Sequence, residues 1–216
     1  MPIVKAVLSH LTRTAKTVTR LSDPYLSHKI ILPGRFKRVY VAEDQGVPFL
    51  GGKQLLELDP AGKRYLSFAY HEKNLKNQLI LRANMILITR SGTIGKLNIV
   101  PEHWQGWACS EDIIRVIPAH QDIAGYLYAW LSSDYAHPLI TRFTYGAVVS
   151  HIEPEQLSSV AVPLLKDSST QQVINELVLD ANQRRFEAYL LEKKAIKLLE
   201  AQVIAPSSLS IPLVSG

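Results

Sequence analysis

Cysteine is almost absent from this sequence, and the long apolar segments of membrane proteins are missing. The single Cys109 cannot form an intramolecular disulfide, which favours a reducing compartment. No segment approaches the roughly 18 consecutive apolar residues of a membrane-spanning helix. The first residues, MPIVKAVLSHLTR, lack the apolar core and cleavage site of a secretory signal. We therefore expect a cytoplasmic protein that does not associate with membranes.

Nucleotide-binding and metal-binding motifs are also missing. Two glycines and a lysine occur in SGTIGK (91–96), but only two residues separate Gly92 from Gly95, and Leu97 follows the lysine. A phosphate loop needs four residues between its glycines and a hydroxyl side chain after its lysine, so nucleotide hydrolysis is not expected. His103 and Cys109 have no second ligand pair at zinc spacing. We predict no metal ion and no cofactor.

Three other possible enzyme sites are incomplete. The tripeptide DPY (23–25) lacks the second proline of the motif with which amino-methyltransferases hold a flipped base, and no glycine-rich loop for a methyl donor accompanies it. Residues 150–153 contain Ser, His and Glu without the context of a nucleophile elbow. Residues 57–63 contain acids and a lysine at the wrong spacing for a metal-dependent nuclease. We predict that the chain has no catalytic residues.

Positive charge is concentrated at the start of the chain. The first 42 residues contain eight Lys or Arg and one Asp, whereas the whole chain has a net charge of +5. Such a segment can form a surface that contacts phosphate groups. It can equally be the solvated face of a helix, and the sequence leaves both interpretations open.

Hydrophobic spacing predicts a mixed α+β domain followed by one long helix. Residues 3–21 have the 3-4 spacing of an amphipathic helix, and residues 35–42 alternate like a strand. Further strands are predicted at residues 85–88, 96–100, 112–117 and 160–162, and further helices at residues 122–133 and 135–142. The predicted fold is a mixed, twisted β-sheet domain with short helices, to which a coiled-coil-like C-terminal helix is attached.

The long helix is predicted from Ser169 onward, with Ser169 and Gln172 spaced as a capping box. No Gly or Pro interrupts it before Pro206, so about 34 residues would extend roughly 50 Å. Its apolar stripe consists of Ile174, Leu177, Ala181, Ala188, Leu191, Ala195 and Leu198. A stripe this long favours pairing with another helix, although packing against its own domain is the alternative. Residues 205–216 are rich in Ser and Pro and are predicted to form a flexible tail.

Several polar and basic residues are placed in predicted loops. Arg can bind guanine and Gln can bind adenine through paired hydrogen bonds, so these residue types suit a protein that contacts DNA bases. The candidates for base contacts are Lys53, Gln54, Arg90, Thr93, Tyr145, Ser150 and His151. The candidates for phosphate contacts are Arg35, Lys37, Arg38, Lys96 and Arg142. For Arg90, an ion pair with an internal acid is the alternative.

An ordered set of motifs resembles the specificity subunits of type I restriction–modification systems. The motifs are VPFLGG (47–52), LITRSGTIGK (87–96), GYLYAWLSS (125–133), YGAVV (145–149), HI (151–152), VPL (162–164) and a glutamine at position 171 or 172. They occur in the family's order over roughly residues 35–200. The likeness rests on this order rather than on any single motif.

The resemblance implies a target recognition domain followed by a helix that spaces two such domains. Residues 1–30 would be a basic helical segment, 31–168 the recognition domain, 169–204 the spacer and pairing helix, and 205–216 the tail. The implied partners are duplex DNA, a DNA methyltransferase subunit and, in systems that cleave, an endonuclease subunit. Family members carry two recognition domains, whereas this chain has room for one. It would therefore pair as a homodimer or with a second recognition half, and methylation and cleavage would take place on separate chains.

Two other classes of function remain as alternatives. An RNA-binding or protein-interaction scaffold could use the same fold, and a metal-dependent nuclease would contradict the prediction of a non-catalytic chain. Competition between duplex DNA and structured RNA separates the first alternative from DNA recognition. Cleavage by the purified chain with a divalent metal would establish the second.

Overall fold

The computed structural model describes residues 2–60, 64–142 and 151–203. Its helices are α1 (Pro2–Thr14), α2 (Phe68–Asn74), α3 (Gln121–Leu131), α4 (His137–Thr141), α5 (Pro154–Ser158) and α6 (Ser168–Val203). Its strands are β1 (Thr17–Arg20), β2 (Ser27–Ile31), β3 (Tyr40–Val41), β4 (Gly46–Leu50), β5 (Tyr65–Ser67), β6 (Ile86–Thr89), β7 (Leu97–Ile99), β8 (Ala108–Cys109), β9 (Ile113–Pro118) and β10 (Ala161–Leu164). Short 3-10 turns cover Glu43–Gln45, Gly52–Leu56 and Glu102–Trp104, and a π-helical turn covers Leu75–Leu79. The predicted α+β fold with a long final helix is confirmed.

The described strands form three sheets. The central sheet has the order β2-β9-β6-β7 and is antiparallel throughout. The second sheet has the order β3-β5-β4-β8 and is mixed, because β4 and β8 run parallel. The third is an antiparallel pair of β1 and β10. The chain therefore returns to the strand near its start just before α6 begins.

The central sheet is covered on both faces. Ile86 and Ile88 of β6 belong to one buried cluster, which also contains side chains of α1, α3 and β10. Leu87 belongs to a second cluster, together with Trp104 and Cys109. Because neither face of β6 meets solvent, its sequence is a continuous apolar run rather than an alternation. This is the reason that the strand could be recognised from the sequence.

The N-terminal helix is shorter than predicted. Residues 3–21 were expected to be helical, but α1 ends at Thr14, after burying Val4, Val7 and Leu11. Thr17–Arg20 form β1 instead, because its residues Thr, Val and Thr are β-branched and favour an extended backbone. The pairing with β10 supplies the hydrogen bonds that a helix would have supplied. The domain boundaries near residues 30 and 168 stay predictions.

Two strand predictions need correction at their ends. Of residues 35–42, only Tyr40–Val41 form a strand, because the preceding Arg38 turns toward the loop before β9. The last strand does not end at Pro163 but continues to Leu164, with Pro163 opposite Val18. A proline is tolerated there because a two-stranded sheet has only edge strands. The other strands and helices predicted between residues 85 and 142 are confirmed.

The long helix α6 has 36 residues and therefore extends about 54 Å. Its start is not capped by the predicted pair of Ser169 and Gln172. Asp167 accepts hydrogen bonds from Ser169 N at 2.9 Å and from Thr170 Oγ1 at 2.6 Å. A short carboxylate just before the first turn reaches these donors more directly than a glutamine within the helix. Gln172 instead donates to Glu176 at 3.0 Å.

Two buried asparagines fix α6 on the body of the protein. Asn175 Oδ1 accepts hydrogen bonds from Gly125 N at 2.8 Å and Tyr126 N at 3.2 Å in α3. A Cβ atom on Gly125 would lie 2.3 Å from Asn175 O, so the close approach of α3 and α6 requires glycine. Asn182, seven residues along, donates to Val100 O at 3.1 Å. Polar contacts one heptad apart specify the register of a packed helix.

Aromatic stacking and an ion pair continue this contact along α6. The ring of His103 stacks on Tyr189 with 4.2 Å between centroids. Lys193 Nζ lies 2.7 Å from Asp59 Oδ2. Beyond Lys193 every residue of α6 up to Val203 is exposed. One face of α6 thus packs against its own domain, and the last ten residues of the helix extend beyond that contact.

Candidate nucleic-acid interface

Three strands of the central sheet bring their loop ends together. β6 ends at Thr89, and β7 and β9 begin at Leu97 and Ile113. Because both neighbours run antiparallel to β6, these three positions lie at the same end of the sheet. The loops that leave this end therefore form one continuous surface.

Two more segments join that end. Ser110 N donates to Leu50 O at 2.8 Å, which places the segment after β4 beside the segment before β9. An antiparallel bridge pairs Ser91 with His151. We call the surface formed by residues 51–54, 90–96, 110–112 and 151–153 the loop edge.

The turn between β6 and β7 is held by two glycines. Gly92 and Gly95 have φ angles of +72° and +80°, a region that residues with side chains rarely adopt. Inside the turn, Lys96 N donates to Thr89 Oγ1 at 3.0 Å. Thr93 and Lys96 are consequently exposed on the loop edge. The structure therefore contains the predicted tight turn and leaves these two candidate DNA contacts accessible.

Lys53 and Gln54 lie in the 3-10 turn Gly52–Leu56, and their environments differ. Lys53 is exposed. Gln54 Oε1 accepts a hydrogen bond from Gly51 N at 2.8 Å, so this side chain stabilises its own turn. A base contact by Gln54 would require this hydrogen bond to be exchanged, whereas Lys53 is available as it stands.

Arg90 is paired with acids inside the protein. Its side chain is 14% exposed and forms an ion pair with Glu153. Its Nη1 atom lies 3.8 Å from Asp112 Oδ1, and its Nε atom donates to Ile152 O at 3.3 Å. The structure thus shows the alternative that the sequence left open, an internal ion pair. A base contact by Arg90 would require these ion pairs to open.

The three phosphate candidates before β3 also differ in environment. Arg35 and Lys37 are exposed. Arg38 forms a forked ion pair with Glu111, with distances of 2.9 Å from Nη2 and 3.3 Å from Nε. Burial acts to lower the pKa of Arg38, but the hydrogen bond and charge of Glu111 outweigh it, and the pKa is raised. Arg35 and Lys37 are therefore exposed charges in the segment that Arg38 joins to the loop edge through Glu111.

The remaining candidates are placed differently. His151 is half-buried within the loop edge. Arg142 lies at the end of α4, where its Nη2 atom donates to Ser159 O at 3.5 Å, and it faces a depression shared with Asp23. That depression is beside the sheet of β1 and β10 rather than at the loop edge. Tyr145 and Ser150 lie outside the described residues.

Sequence reasoning did not single out the acidic loop before β9. Glu111 and Asp112 hold Arg38 and Arg90, and the loop itself is held by Arg115, which is 1% exposed. Arg115 donates to the carbonyl oxygens of Ser110 and Ile113 at 3.1 and 2.6 Å. Burial lowers the pKa of Arg115. A charged residue between Ile114 and Val116 in a predicted buried strand is the signal that could have revealed it.

The predicted pairing stripe of α6 lies on its open side. Leu177, Leu191 and Leu198 are 63%, 67% and 57% exposed. The three alanines of the stripe, Ala181, Ala188 and Ala195, are also exposed. Ile174 differs, because it is half-buried and packs against the core beside α3. The stripe therefore begins where α6 packs against the domain and continues along the exposed face of the helix.

In residues 2–60, 64–142 and 151–203, no three His, Cys, Asp or Glu side chains are arranged to hold a metal ion. No helix in those ranges combines the length and the apolar character that crossing a membrane requires. Cys109 is fully buried, and burial raises the pKa of its thiol to about 11. It is therefore unsuited to act as a nucleophile.

Solved structures with a similar fold come from restriction systems. The HsdS subunit from Thermoanaerobacter tengcongensis aligns with a TM-score of 0.55 at 18% identity, over 87% of this chain and 44% of that one. The type I restriction-modification S subunit from M. genitalium aligns with a TM-score of 0.51 at 11% identity, over 74% and 37%. The type IIG restriction endonuclease BpuSI aligns with a TM-score of 0.54 at 12% identity, over 82% and 28%. This chain thus spans less than half the length of these three proteins.

No curated protein matches this sequence. The model of the type I restriction modification DNA specificity domain matches residues 35–198, which cover the loop edge, α3 and most of α6. This match includes the motifs around Gly92 and Gly125 whose structural roles are described above. The chain therefore belongs to the family of type I restriction modification DNA specificity domains.

Proposed function

We propose that this chain recognises a duplex DNA sequence through its loop edge, as the specificity component of a type I restriction–modification system. The family match over residues 35–198 is the observation that carries the proposal. The loop edge supports it, because loops from four parts of the chain meet there and present hydrogen-bonding side chains. Hydrogen-bonding side chains distinguish one DNA sequence from another at the edges of the bases, whereas phosphate contacts position the protein on the duplex.

The base-contacting groups that need no rearrangement are Lys53 and Thr93. Both are exposed on neighbouring turns, and the half-buried His151, a further candidate, lies beside Ser91. We assign Tyr145 and Ser150 to the same role from the sequence alone. Gln54 and Arg90 act in this role only where DNA replaces their internal partners. The geometry therefore divides the candidates into available and engaged groups.

We assign the phosphate contacts to the exposed cations at and beside the loop edge. These are Arg35, Lys37 and Lys96, while Arg38 is engaged by Glu111. Arg142 is the candidate with least support, because it faces the depression near β1 and β10. Each cation that reaches a phosphate releases counterions, and the affinity then depends on the salt concentration.

We assign the exposed stripe of α6 to pairing with a second recognition half. In this arrangement each chain contacts one half of a bipartite site, and the paired helices set the distance between the halves. The second half is supplied by a second copy of the chain or by another recognition domain. Methylation, and cleavage in systems that cleave, take place on a methyltransferase subunit and an endonuclease subunit that associate with the complex.

Selection from a random duplex library tests the proposed function. The purified chain should enrich one short sequence, and affinity for the enriched duplex should exceed that for random-sequence duplex. Preference for structured RNA over duplex DNA, or cleavage of DNA with a divalent metal, would support the alternative functions instead. Absence of any enriched sequence contradicts the proposal.

Two lysine variants then separate the roles within the loop edge. Lys53→Ala should cost about 1–3 kcal/mol on the enriched duplex and little on random duplex, because it removes a base contact. Lys96→Ala should weaken binding to both duplexes and lower the salt slope by about 0.9, because it removes a phosphate contact. Lys166→Ala, between β10 and α6, removes the same charge outside the loop edge and is the matched control.

A further inference from the structure

The loop edge carries almost as many acidic side chains as basic ones. Its basic side chains are Lys53, Arg90 and Lys96, together with Arg38, which reaches it from the segment before β3. Its carboxylates are Glu111, Asp112 and Glu153. This balance is unusual for a surface that binds a polyanion, because each carboxylate repels DNA phosphates. The carboxylates therefore need an explanation beyond attraction to DNA.

The two carboxylates of one loop hold both arginines. Glu111 Oε1 lies 2.9 Å from Arg38 Nη2, and its side chain is only 11% exposed. Asp112 Oδ1 lies 3.8 Å from Arg90 Nη1, while Glu153 holds Nη2 of the same guanidinium. Ion pairs with this degree of burial are screened by salt much less than surface pairs. Arg38 and Arg90 thus have carboxylate partners before DNA arrives.

The acidic loop is itself fixed by buried contacts. Arg115 donates to the carbonyl oxygens of Cys109, Ser110 and Ile113, on both sides of the two acids. Asp112 N donates to Ser110 Oγ at 3.2 Å. Asp112 O accepts a hydrogen bond from Arg90 N at 3.1 Å. The carboxylates therefore occupy set positions and do not follow the arginines if these move.

A fixed carboxylate changes what an arginine can contribute to DNA binding. A free arginine that meets a phosphate releases a counterion and adds affinity for every sequence. An arginine that already has a carboxylate partner must give up that partner first, and the carboxylate is then left facing phosphates. Only a paired contact with a base, which is stronger and directional, compensates for this loss.

We propose that Glu111, and Asp112 together with Glu153, are specificity-determining residues that keep Arg38 and Arg90 from binding DNA phosphates. Random DNA is then held by Arg35, Lys37 and Lys96, the exposed cations assigned to phosphate contacts. Arg115 is the positioning residue that keeps the acidic loop in place. This inference rests on the proposed function of the loop edge and adds to it a mechanism that disfavours non-target DNA.

The variants Glu111→Gln and Asp112→Asn test the inference in the full-length chain. Both keep the shape and most hydrogen bonds of the side chain but remove its charge. The probes are a random-sequence 30-base-pair duplex and the duplex enriched from the random library, each titrated over a range of salt concentrations. Glu102→Gln is the matched control, since it makes the same change in net charge beyond the far end of β7, away from the loop edge.

Glu111→Gln should bind random duplex about five- to tenfold more tightly than Glu102→Gln, with a salt slope steeper by about 0.9 for the released Arg38. Asp112→Asn should tighten binding less, because Glu153 still forms its ion pair with Arg90. Affinity for the enriched duplex should rise less, so the ratio of the two affinities falls. A purely structural role for these ion pairs cannot give tighter binding. A melting temperature measured for each variant identifies any loss of folding, and Asp112, whose side chain is 46% exposed, is the substitution that the fold tolerates more easily.

Two results would overturn the inference. If Glu111→Gln and Asp112→Asn bind random duplex like Glu102→Gln while the unaltered chain remains selective, the acids do not restrain the arginines and the proposed function stands. If the unaltered chain binds no duplex at all, the proposed function fails and the inference fails with it.

Discussion

At the scale of single residues, Gly125 allows α3 and α6 to approach each other closely. Gly125→Ala should lower the free energy of unfolding by about 1–3 kcal/mol, because the added methyl group would overlap the backbone of Asn175 at 2.3 Å. Urea denaturation measures this change. Gly34→Ala is the control, since a Cβ atom there has no neighbour within 4 Å, and it should change the stability by less than about 0.5 kcal/mol. Equal effects of the two substitutions would contradict the assignment of a close approach at Gly125.

The buried Arg115 gives a second prediction at this scale. Arg115→Met should lower the free energy of unfolding by about 1–3 kcal/mol, because the carbonyl oxygens of the acidic loop lose a buried donor. Denaturation with urea is again the measurement. The exposed Arg82→Met serves as the control and should be close to neutral. A neutral effect of Arg115→Met would show that the loop does not depend on this side chain.

The role of a residue could be predicted from the sequence where that role depends on its immediate neighbours in the chain. Gly92 and Gly95 were recognised as turn residues, because a positive φ is a property of the residue and its immediate neighbours. Arg38 and Arg90 are candidates because of their chemistry, but their partners depend on the fold. The acids that engage Arg38 and Arg90 are distant in the chain, and the sequence does not show which acid meets which arginine.

At the scale of elements, the start of α6 depends on a single carboxylate. Hydrogen bonds from the Thr170 and Ser169 side chains and from Ser169 N lower the pKa of Asp167 to about 2, below its usual value near 3.9. A lowered pKa means that Asp167 stabilises the folded chain above about pH 4 and that this contribution is lost as the pH falls toward 2.

Asp167→Ala should therefore lower the melting temperature at pH 7, and the difference from the unaltered chain should shrink as the pH approaches 2. Thermal melting followed by circular dichroism from pH 2 to 7 measures it. Asp134→Ala, which removes an exposed carboxylate between α3 and α4, is the matched control. A difference for Asp167→Ala that stays constant over the range would rule out the cap.

Elements were predicted correctly where their own sequence determined them. The strands β6 and β9 are buried on both faces, and the helix α6 has no Gly or Pro along its length, so each has an unambiguous pattern. β1 was mistaken for helix because Val18 and Leu21 continue the spacing of α1. Its true state depends on β10, which lies more than 140 residues away and leaves no signal near β1.

The exposed stripe of α6 gives a further prediction at this scale. The triple variant Leu177→Ser, Leu191→Ser and Leu198→Ser should weaken self-association at least about 100-fold. Each of these exposed leucines contributes about 1.5–3 kcal/mol when pairing buries it. Sedimentation equilibrium measures the change. Serine at the exposed Gln172, Gln183 and Lys197, outside the stripe, is the control. If the unaltered chain is itself a monomer at micromolar concentration, pairing with a second copy is excluded, and the second half must come from another chain or domain.

At the scale of the whole molecule, the proposed function assigns pairing and DNA recognition to separate surfaces, the exposed stripe of α6 and the loop edge. The leucine variant should therefore keep its affinity for a duplex with one half-site and lose the preference for a duplex with two half-sites. The preference arises because the second half-site binds at a high effective concentration. Electrophoretic mobility shifts with one-site and two-site duplexes measure both quantities. Equal losses of affinity for the two duplexes would show that substitutions in the stripe also disturb the loop edge.

The pairing of β1 with β10 has a consequence for the synthesis of the protein. Thr17 pairs with Leu164, so the first strand has no partner until almost the whole body has left the ribosome. At about 5–20 residues per second, this interval lasts roughly 7–30 s. During that time the apolar side of α1, with Val4, Val7 and Leu11, has not reached its place in the core. The nascent chain is thus most exposed to aggregation at its beginning, and its folding is completed only as α6 emerges.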